Sequence, residues 1–112
     1  MNRNTHLKTA LERQEPFDIL IIGGGAIGVE FAYAYKSFGT ETTVVEMMDW
    51  LLPEMDEELG RELERAFKKK KIRVLTQTKY KANRREKGTV TVTMEGKDGK
   101  EDSLSAQLVL VA

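Results

Sequence analysis

The stretch Asp18-Ile-Leu-Ile-Ile-Gly-Gly-Gly-Ala-Ile-Gly-Val-Glu-Phe31 constrains this chain more than any other. An apolar run from Ile19 to Ile22 gives way at once to three glycines, and apolar residues then recur at helical spacing in Ile27, Phe31, Ala34, Tyr35 and Phe38. A short continuous apolar run bounded by glycine is the pattern of a strand covered on both faces, and the later period is that of a helix. The stretch reads as strand, tight turn, helix. Within the turn, Gly23, Gly25 and Gly28 fall at the spacing G-x-G-x-x-G. Such a turn uses its first glycine for unusual backbone angles, its second where an anionic group must approach the bare backbone, and its third where helix and strand pack closely. The amides that open the helix, those of Ala26 and Ile27 foremost, lack intrahelical partners and lie at the positive end of the helix dipole, which favours phosphate.

The glycine spacing alone also fits any glycine-rich loop, so the flanking sequence decides. After Gly39 the chain resumes with Thr42-Thr-Val-Val45, a β-branched strand that ends in Glu46, 18 residues beyond Gly28. An acidic residue about 20 positions on, at the tip of the second strand, accepts hydrogen bonds from the ribose hydroxyls of a bound dinucleotide. A carboxylate there repels the additional phosphate of NADP, and no Arg follows within several residues, so NAD is the expected cofactor.

Length and charge narrow the classes further. The 112 residues suit one domain with one sheet and its covering layers. Lys and Arg number 18 and Asp and Glu 18, so the charge balance points to neither nucleic acid nor an anionic membrane surface. No 18-residue apolar run and no signal peptide is evident, which reads as a soluble intracellular protein. The absence of cysteine excludes disulfides, thiolate metal sites and dithiol redox chemistry carried by this chain. The single histidine, His6, lies in a polar segment with no partner near it in sequence, and no residue cluster has metal-ligand spacing.

In chain order, residues 1–17 form a lead-in in which Thr5 caps a short helix from His6 to Gln14, with Leu7, Ala10 and Leu11 on one face and Pro16 ending it. The first strand covers Asp18 to Ile22 and the first helix Ala26 to Phe38. Asp56 caps a second helix reaching about Lys70, with Glu57 and Glu58 in its first turn, lysines at its end, and Leu59, Leu63, Ala66 and Phe67 as its buried stripe. A third strand covers Ile72 to Leu75. No third helix follows. Instead, alternating segments at Thr78–Asn83, Thr89–Glu95 and Glu101–Ser105, separated by Lys87-Gly88 and Asp98-Gly99, predict an antiparallel meander. The apolar run Leu108–Val111 then returns beside the first strand. The expected fold is α/β and Rossmann-like: a three-layer domain over 18–112, with a parallel sheet of about four strands in the order 3-2-1-4, two main helices and a three-stranded meander.

This order of elements, together with Ile21-Ile-Gly-Gly-Gly-Ala-Ile-Gly-Val-Glu-Phe31, Thr43-Val-Val-Glu46, Leu51-Leu-Pro53 with Asp56, Lys71-Ile-Arg-Val-Leu-Thr76 and Leu108-Val-Leu-Val-Ala112, resembles the NAD-binding domain of the dihydrolipoamide dehydrogenases, in the pyridine nucleotide-disulfide oxidoreductase family. The resemblance begins at about Leu7. It implies that Gly23, Gly25, Ala26, Ile27 and Gly28 receive a pyrophosphate, Glu46 a ribose, and that Met47 and Tyr80 stand beside the adenine. It implies that Glu30 faces a flavin held by another domain, where it pairs with a lysine. The parent enzyme would pass electrons from dihydrolipoamide through a cysteine pair and FAD to NAD, act as a homodimer, and reside in a bacterial cytoplasm or a mitochondrial matrix. The FAD and interface domains, with their cysteine pair and His-Glu pair, have no counterpart in this sequence, so the chain by itself is expected to be inactive as a dehydrogenase and to contain no catalytic residue.

Two alternatives stand beside this reading. The parent could be another family member, an NADH oxidase or a mercuric reductase; a glutathione-type reductase is disfavoured because it prefers NADP and usually lacks the acid at Glu46. The chain could also be a non-catalytic folding module that self-associates through surfaces meant for the other domains, with Met47, Met48, Trp50, Leu51 and Leu52 as a candidate apolar patch.

Overall fold

The computed structural model describes residues 18–112, so the short helix expected within 1–17 lies outside the described residues. Two helices and seven strands follow in the order β1 (Asp18–Ile22), α1 (Ala26–Ser37), β2 (Glu41–Val45), α2 (Glu57–Lys69), β3 (Arg73–Leu75), β4 (Lys79–Glu86), β5 (Thr89–Glu95), β6 (Glu101–Ala106) and β7 (Leu108–Val111). The parallel sheet runs β3-β2-β1-β7, and the antiparallel sheet runs β4-β5-β6. This is the expected 3-2-1-4 order with the expected meander.

The apolar run of β1 explains why three layers form. Side chains alternate across a strand. Ile19 and Ile21 face the helices, packed with Ala32, Val44, Leu51, Phe67 and Ile72. Leu20 and its neighbour Val45 face the meander, packed with Val90, Val92, Met94 and Ala106. A strand apolar at every position is therefore buried twice over, once against α1 and α2 and once against β5 and β6. The period of two in Thr89–Met94 has the same cause seen from the other layer: Val90, Val92 and Met94 are buried while the intervening threonines are half-exposed. Strand β4 runs further than expected, to Glu86, and is exposed at all eight positions, at the edge of the meander.

The helices present different faces from those the sequence period suggests. In α1 the buried residues are Gly28 and Ala32, with Val29 and Tyr35 packed beside them. Ile27, Phe31 and Phe38 point outward at 62%, 42% and 66% exposure. The physical reason lies at Gly28, where any side chain would collide with the carbonyl of Gly23. The helix comes so close to the end of β1 that only its smallest residues fit the contact, and its larger apolar residues are turned away.

Helix α2 keeps half of its expected stripe. Asp56 caps it by accepting from the Glu58 amide at 3.3 Å, Glu57 and Glu58 fill the first turn, and Lys68 and Lys69 the last, as charge and dipole require. Its buried residues are Gly60 and Phe67, with Leu63 partly buried, whereas Leu59 and Ala66 are exposed. Gly60 sits against the Leu51 carbonyl and the Trp50 ring, leaving no room for a side chain.

Leu51, from the expected surface patch, is fully buried beneath the β2–α2 loop. Its truncation to Ala is expected to cost about 2–5 kcal/mol, whereas Leu59→Ala should change stability by less than about 0.5 kcal/mol. Urea unfolding of both variants checks this, and equal losses would contradict the burial described.

Candidate functional site

The four parallel strands end together. Hydrogen bonds continue their pairing one residue further: Gly23 N donates to Val45 O at 2.8 Å, Glu46 N to Leu75 O at 2.9 Å, and Ala112 N to Ile22 O at 2.9 Å. The chain crosses from the β2 side of β1 to the β7 side through the meander, so the glycine turn opens where the strand order reverses. In open α/β sheets that switch point at the carboxyl ends of the strands is where ligands bind.

Four glycines shape the turn, and three are demanded by the protein itself. Gly23 has a φ of +117°, and a β-carbon there would lie 2.6 Å from the Ala112 carbonyl oxygen. Gly28 carries α1 against Gly23. Gly24 has no place in the spacing motif, yet a β-carbon there would lie 2.6 Å from Leu51 Cδ2 and 3.1 Å from Glu46 Cβ. Gly25 is different. Its backbone is ordinary and extended, with φ −75° and ψ −172°, and a side chain there would meet nothing within 4 Å. It stands at the N-terminus of α1 with no side-chain cap. The first bond within the helix runs from Val29 N to Gly25 O at 3.0 Å, so the amides of Ala26, Ile27 and Gly28 have no intrahelical acceptor. Gly25 and Ala26 form one wall of a cleft of about 260 Å³, and Leu52, Pro53, Glu54 and Met55 form the other.

Glu46 closes the floor beside this cleft. It is 7% exposed. Its Oε1 accepts from the Gly24 amide at 2.8 Å and its Oε2 from the Met48 amide at 2.7 Å. One buried carboxylate thus ties the glycine turn to the β2–α2 loop. Each oxygen keeps a further lone pair that can accept from a ligand hydroxyl. The loop is joined to the turn a second time by Leu52, which takes the left-handed φ of 52° and donates its amide to Gly24 O at 2.8 Å.

Of the residues singled out from the sequence, Gly23, Gly25, Ala26, Gly28 and Glu46 converge around the turn. Ile27 lies exposed on the first turn of α1, and Glu30 lies exposed on the same helix with no ion pair among the described residues. Met47 is exposed at the tip of β2. Tyr80 lies on β4 opposite Met94, its hydroxyl accepting from Asn83 Nδ2; β4 is held near the site by Thr78 N, which donates to Glu46 O at 3.1 Å. The expected patch of Met47, Met48, Trp50, Leu51 and Leu52 is divided: the two methionines are exposed, Trp50 is half-buried with Arg61 6.0 Å over its ring, and Leu51 is buried. Sequence reasoning missed Gly24, the Met48 amide and Leu52. The run of three glycines was the available signal for the first; backbone amides and left-handed leucines carry none.

Among the described residues there is no group of three or more His, Cys, Asp or Glu placed to hold a metal ion, and no helix is long and apolar enough to cross a membrane.

Residues 2–112 match the family model of the pyridine nucleotide-disulphide oxidoreductases. The dihydrolipoyl dehydrogenases of Mycobacterium leprae (strain TN) and Mycobacterium tuberculosis (strain ATCC 25618 / H37Rv) are 38% and 40% identical to this chain over 108 residues, 96% of its length and 23% of theirs. Among solved structures, an NAD-dependent persulfide reductase from A. fulgidus superposes with a TM-score of 0.76 at 31% identity, over 93% of this chain and 19% of that one. The chain spans about a quarter of the length of the curated relatives it matches.

The bridge made by Glu46 is open to a direct test. Glu46→Gln keeps the shape but turns an NH₂ group toward one of the two backbone amides, setting donor against donor. The expected loss is about 1–3 kcal/mol, read by urea unfolding. An unchanged midpoint would mean that the two amides do not depend on the carboxylate.

Proposed function

This chain belongs to the pyridine nucleotide-disulphide oxidoreductase family, with dihydrolipoyl dehydrogenases among its relatives, and from that premise we propose that its 18–112 region is the NAD(H)-binding module of a flavoenzyme of the dihydrolipoamide dehydrogenase kind. The observation that carries the proposal is Gly25. Its backbone angles are ordinary and, among the described residues, a β-carbon there would meet nothing within 4 Å, so the glycine leaves bare backbone open to a ligand. A pyrophosphate lying on the Gly25 backbone would meet the amides of Ala26, Ile27 and Gly28 and the positive end of α1. Glu46 would accept from the adenosine ribose, and Met47 and Tyr80 would flank the adenine. The same carboxylate disfavours a 2′-phosphate, and no Lys or Arg stands between Glu46 and Glu58 to offset it.

The family uses FAD as well as a pyridine nucleotide. The described residues show no second glycine turn to hold a flavin, and Glu30 is the one side chain here that would face it. With no cysteine in the 112 residues, the dithiol step of the proposed parent reaction, dihydrolipoamide and NAD to lipoamide and NADH, needs thiols that these residues do not supply. An NADH oxidase or mercuric reductase parent would equally need a nucleotide-binding module of this kind.

The outer face of α1 supports a second role. Ile27, Phe31 and Phe38 recur along it and stay exposed, as befits a helix that packs against the flavin-binding and interface parts of a larger homodimeric enzyme. In their absence the same face would join two copies of this chain.

Calorimetric titration tests the first reading. NAD should bind at least about tenfold more tightly than NADP, a difference of about 1.4 kcal/mol. Gly25→Val should abolish binding while lowering stability by no more than about 1 kcal/mol, because a β-carbon there meets nothing within 4 Å and the remaining cost is that of valine at a helix N-cap. Equal binding of NAD by the variant would rule out a pyrophosphate at Gly25. For the second reading, sedimentation equilibrium should show concentration-dependent association that Phe31→Gln/Phe38→Gln abolishes, and a wild-type chain that stays monomeric at every concentration would contradict it.

A further inference from the structure

Among the described residues, three that are not glycine adopt left-handed backbone angles: Leu52, Lys71 and Gln77, with φ of 52°, 63° and 53°. Lys71 follows the last turn of α2, donating to Lys68 O at 3.0 Å, a common place for such a residue. Leu52 instead lies within the β2–α2 loop, and Gln77 lies in the β3–β4 connection that bonds to that loop. Left-handed angles cost an ordinary L-residue about 1–2 kcal/mol relative to glycine or asparagine, so a glutamine kept there needs a compensating contact.

Gln77 makes two contacts, both to the loop that follows Glu46. Its backbone amide donates to Met48 O at 2.9 Å, and its side-chain Nε2 donates to Asp49 Oδ1 at 3.1 Å. The next residue adds a third, because Thr78 N donates to Glu46 O. The segment between β3 and β4 therefore clasps residues 46, 48 and 49 from outside while the Glu46 carboxylate holds the Met48 amide from inside. Glycine at 77 would satisfy the backbone. It would lack the side-chain donor that also holds Asp49.

We propose that Gln77 is a positioning residue for the adenosine end of the site: through Asp49 it holds the Met47–Asp49 segment in the one conformation that presents Glu46 and Met47 to a nucleotide, without touching the nucleotide itself. This rests on the reading of Glu46 as the ribose acceptor. Pre-organisation of this kind appears in affinity, because a loop already ordered loses less freedom on binding.

AMP and NAD, titrated by calorimetry into the wild-type chain and its variants, with thermal unfolding run in parallel, test the proposal. Gln77→Glu sets two carboxylates against each other and should weaken both ligands about three- to tenfold, the scale of one lost solvent-exposed hydrogen bond. The exchange Gln77→Glu/Asp49→Asn restores a donor and an acceptor with the net charge unchanged, and should recover affinity to within about twofold of wild type. Gln77→Gly relaxes the backbone and removes the side chain, so it should weaken AMP while the melting temperature stays level or rises; a purely structural role would move both in the same direction. If the wild type binds and Gln77→Glu binds equally well, or if the exchange fails to restore binding, the positioning role is overturned. A folded wild type that binds neither AMP nor NAD overturns the cofactor reading and this proposal with it.

Discussion

A buried carboxylate between two backbone amides organises the working end of this protein. Glu46 is removed from solvent at the tip of β2, where an ionised group without partners would be costly. The Gly24 and Met48 amides, one on each oxygen, make its burial tolerable. The arrangement binds in both directions. The carboxylate fixes where the glycine turn lies relative to the β2–α2 loop, and the turn and loop fix the orientation of the carboxylate. Leu51, packed beneath Gly24 and the loop, fills the space that this closure leaves. Remaining acceptor capacity on Glu46 is thereby held in an environment already ordered.

The second constraint is how closely the helices approach the sheet. Gly28 and Ala32 bring α1 onto the sheet, whereas α2 docks through Phe67 and Leu63, with Gly60 closing on the Leu51 carbonyl and the Trp50 ring. For α1 this brings the positive helix end directly over the strand ends, where it can act on an anion. It also leaves Ile27, Phe31 and Phe38 outside. The same geometry that builds the candidate phosphate site therefore creates an apolar outer face. On the other side of the sheet the meander covers Leu20 and Val45 with the flat, alternating surface of β5. That replacement of a helix by a sheet needs no close approach, and no glycine lies within β5 or β6.

Much of this was legible in the amino-acid order. The apolar run before Gly23 announced a strand buried on both faces, Asp56 announced the start of α2, and the threonine alternation from Thr89 announced a half-buried strand of the meander. The helix faces were not legible in the same way. A 3.6-residue period in Ile27, Phe31 and Phe38 marks an apolar stripe but does not say whether that stripe or the adjoining one of small residues meets the sheet. The contact at Gly28 decides it. Leu51 likewise read as surface because it sits in a loop, and loops carry no period by which an inward side chain can be recognised. Gln77 gave no sign, because glutamine at a left-handed position follows from partners almost 30 residues earlier in the chain.

The sequence by itself determined the kind of protein this is: the order of strands and helices, the glycine turn, and the acid 18 residues beyond Gly28. These are local properties, set by side-chain alternation, by capping and by the backbone freedom of glycine. The tertiary structure alone decided which glycines the fold requires and which it leaves open, which face of each helix is buried, and that Glu46 is held by Gly24 and Met48. Those outcomes depend on distances between segments far apart in the chain, and a close contact is a property of two surfaces that neither segment encodes alone.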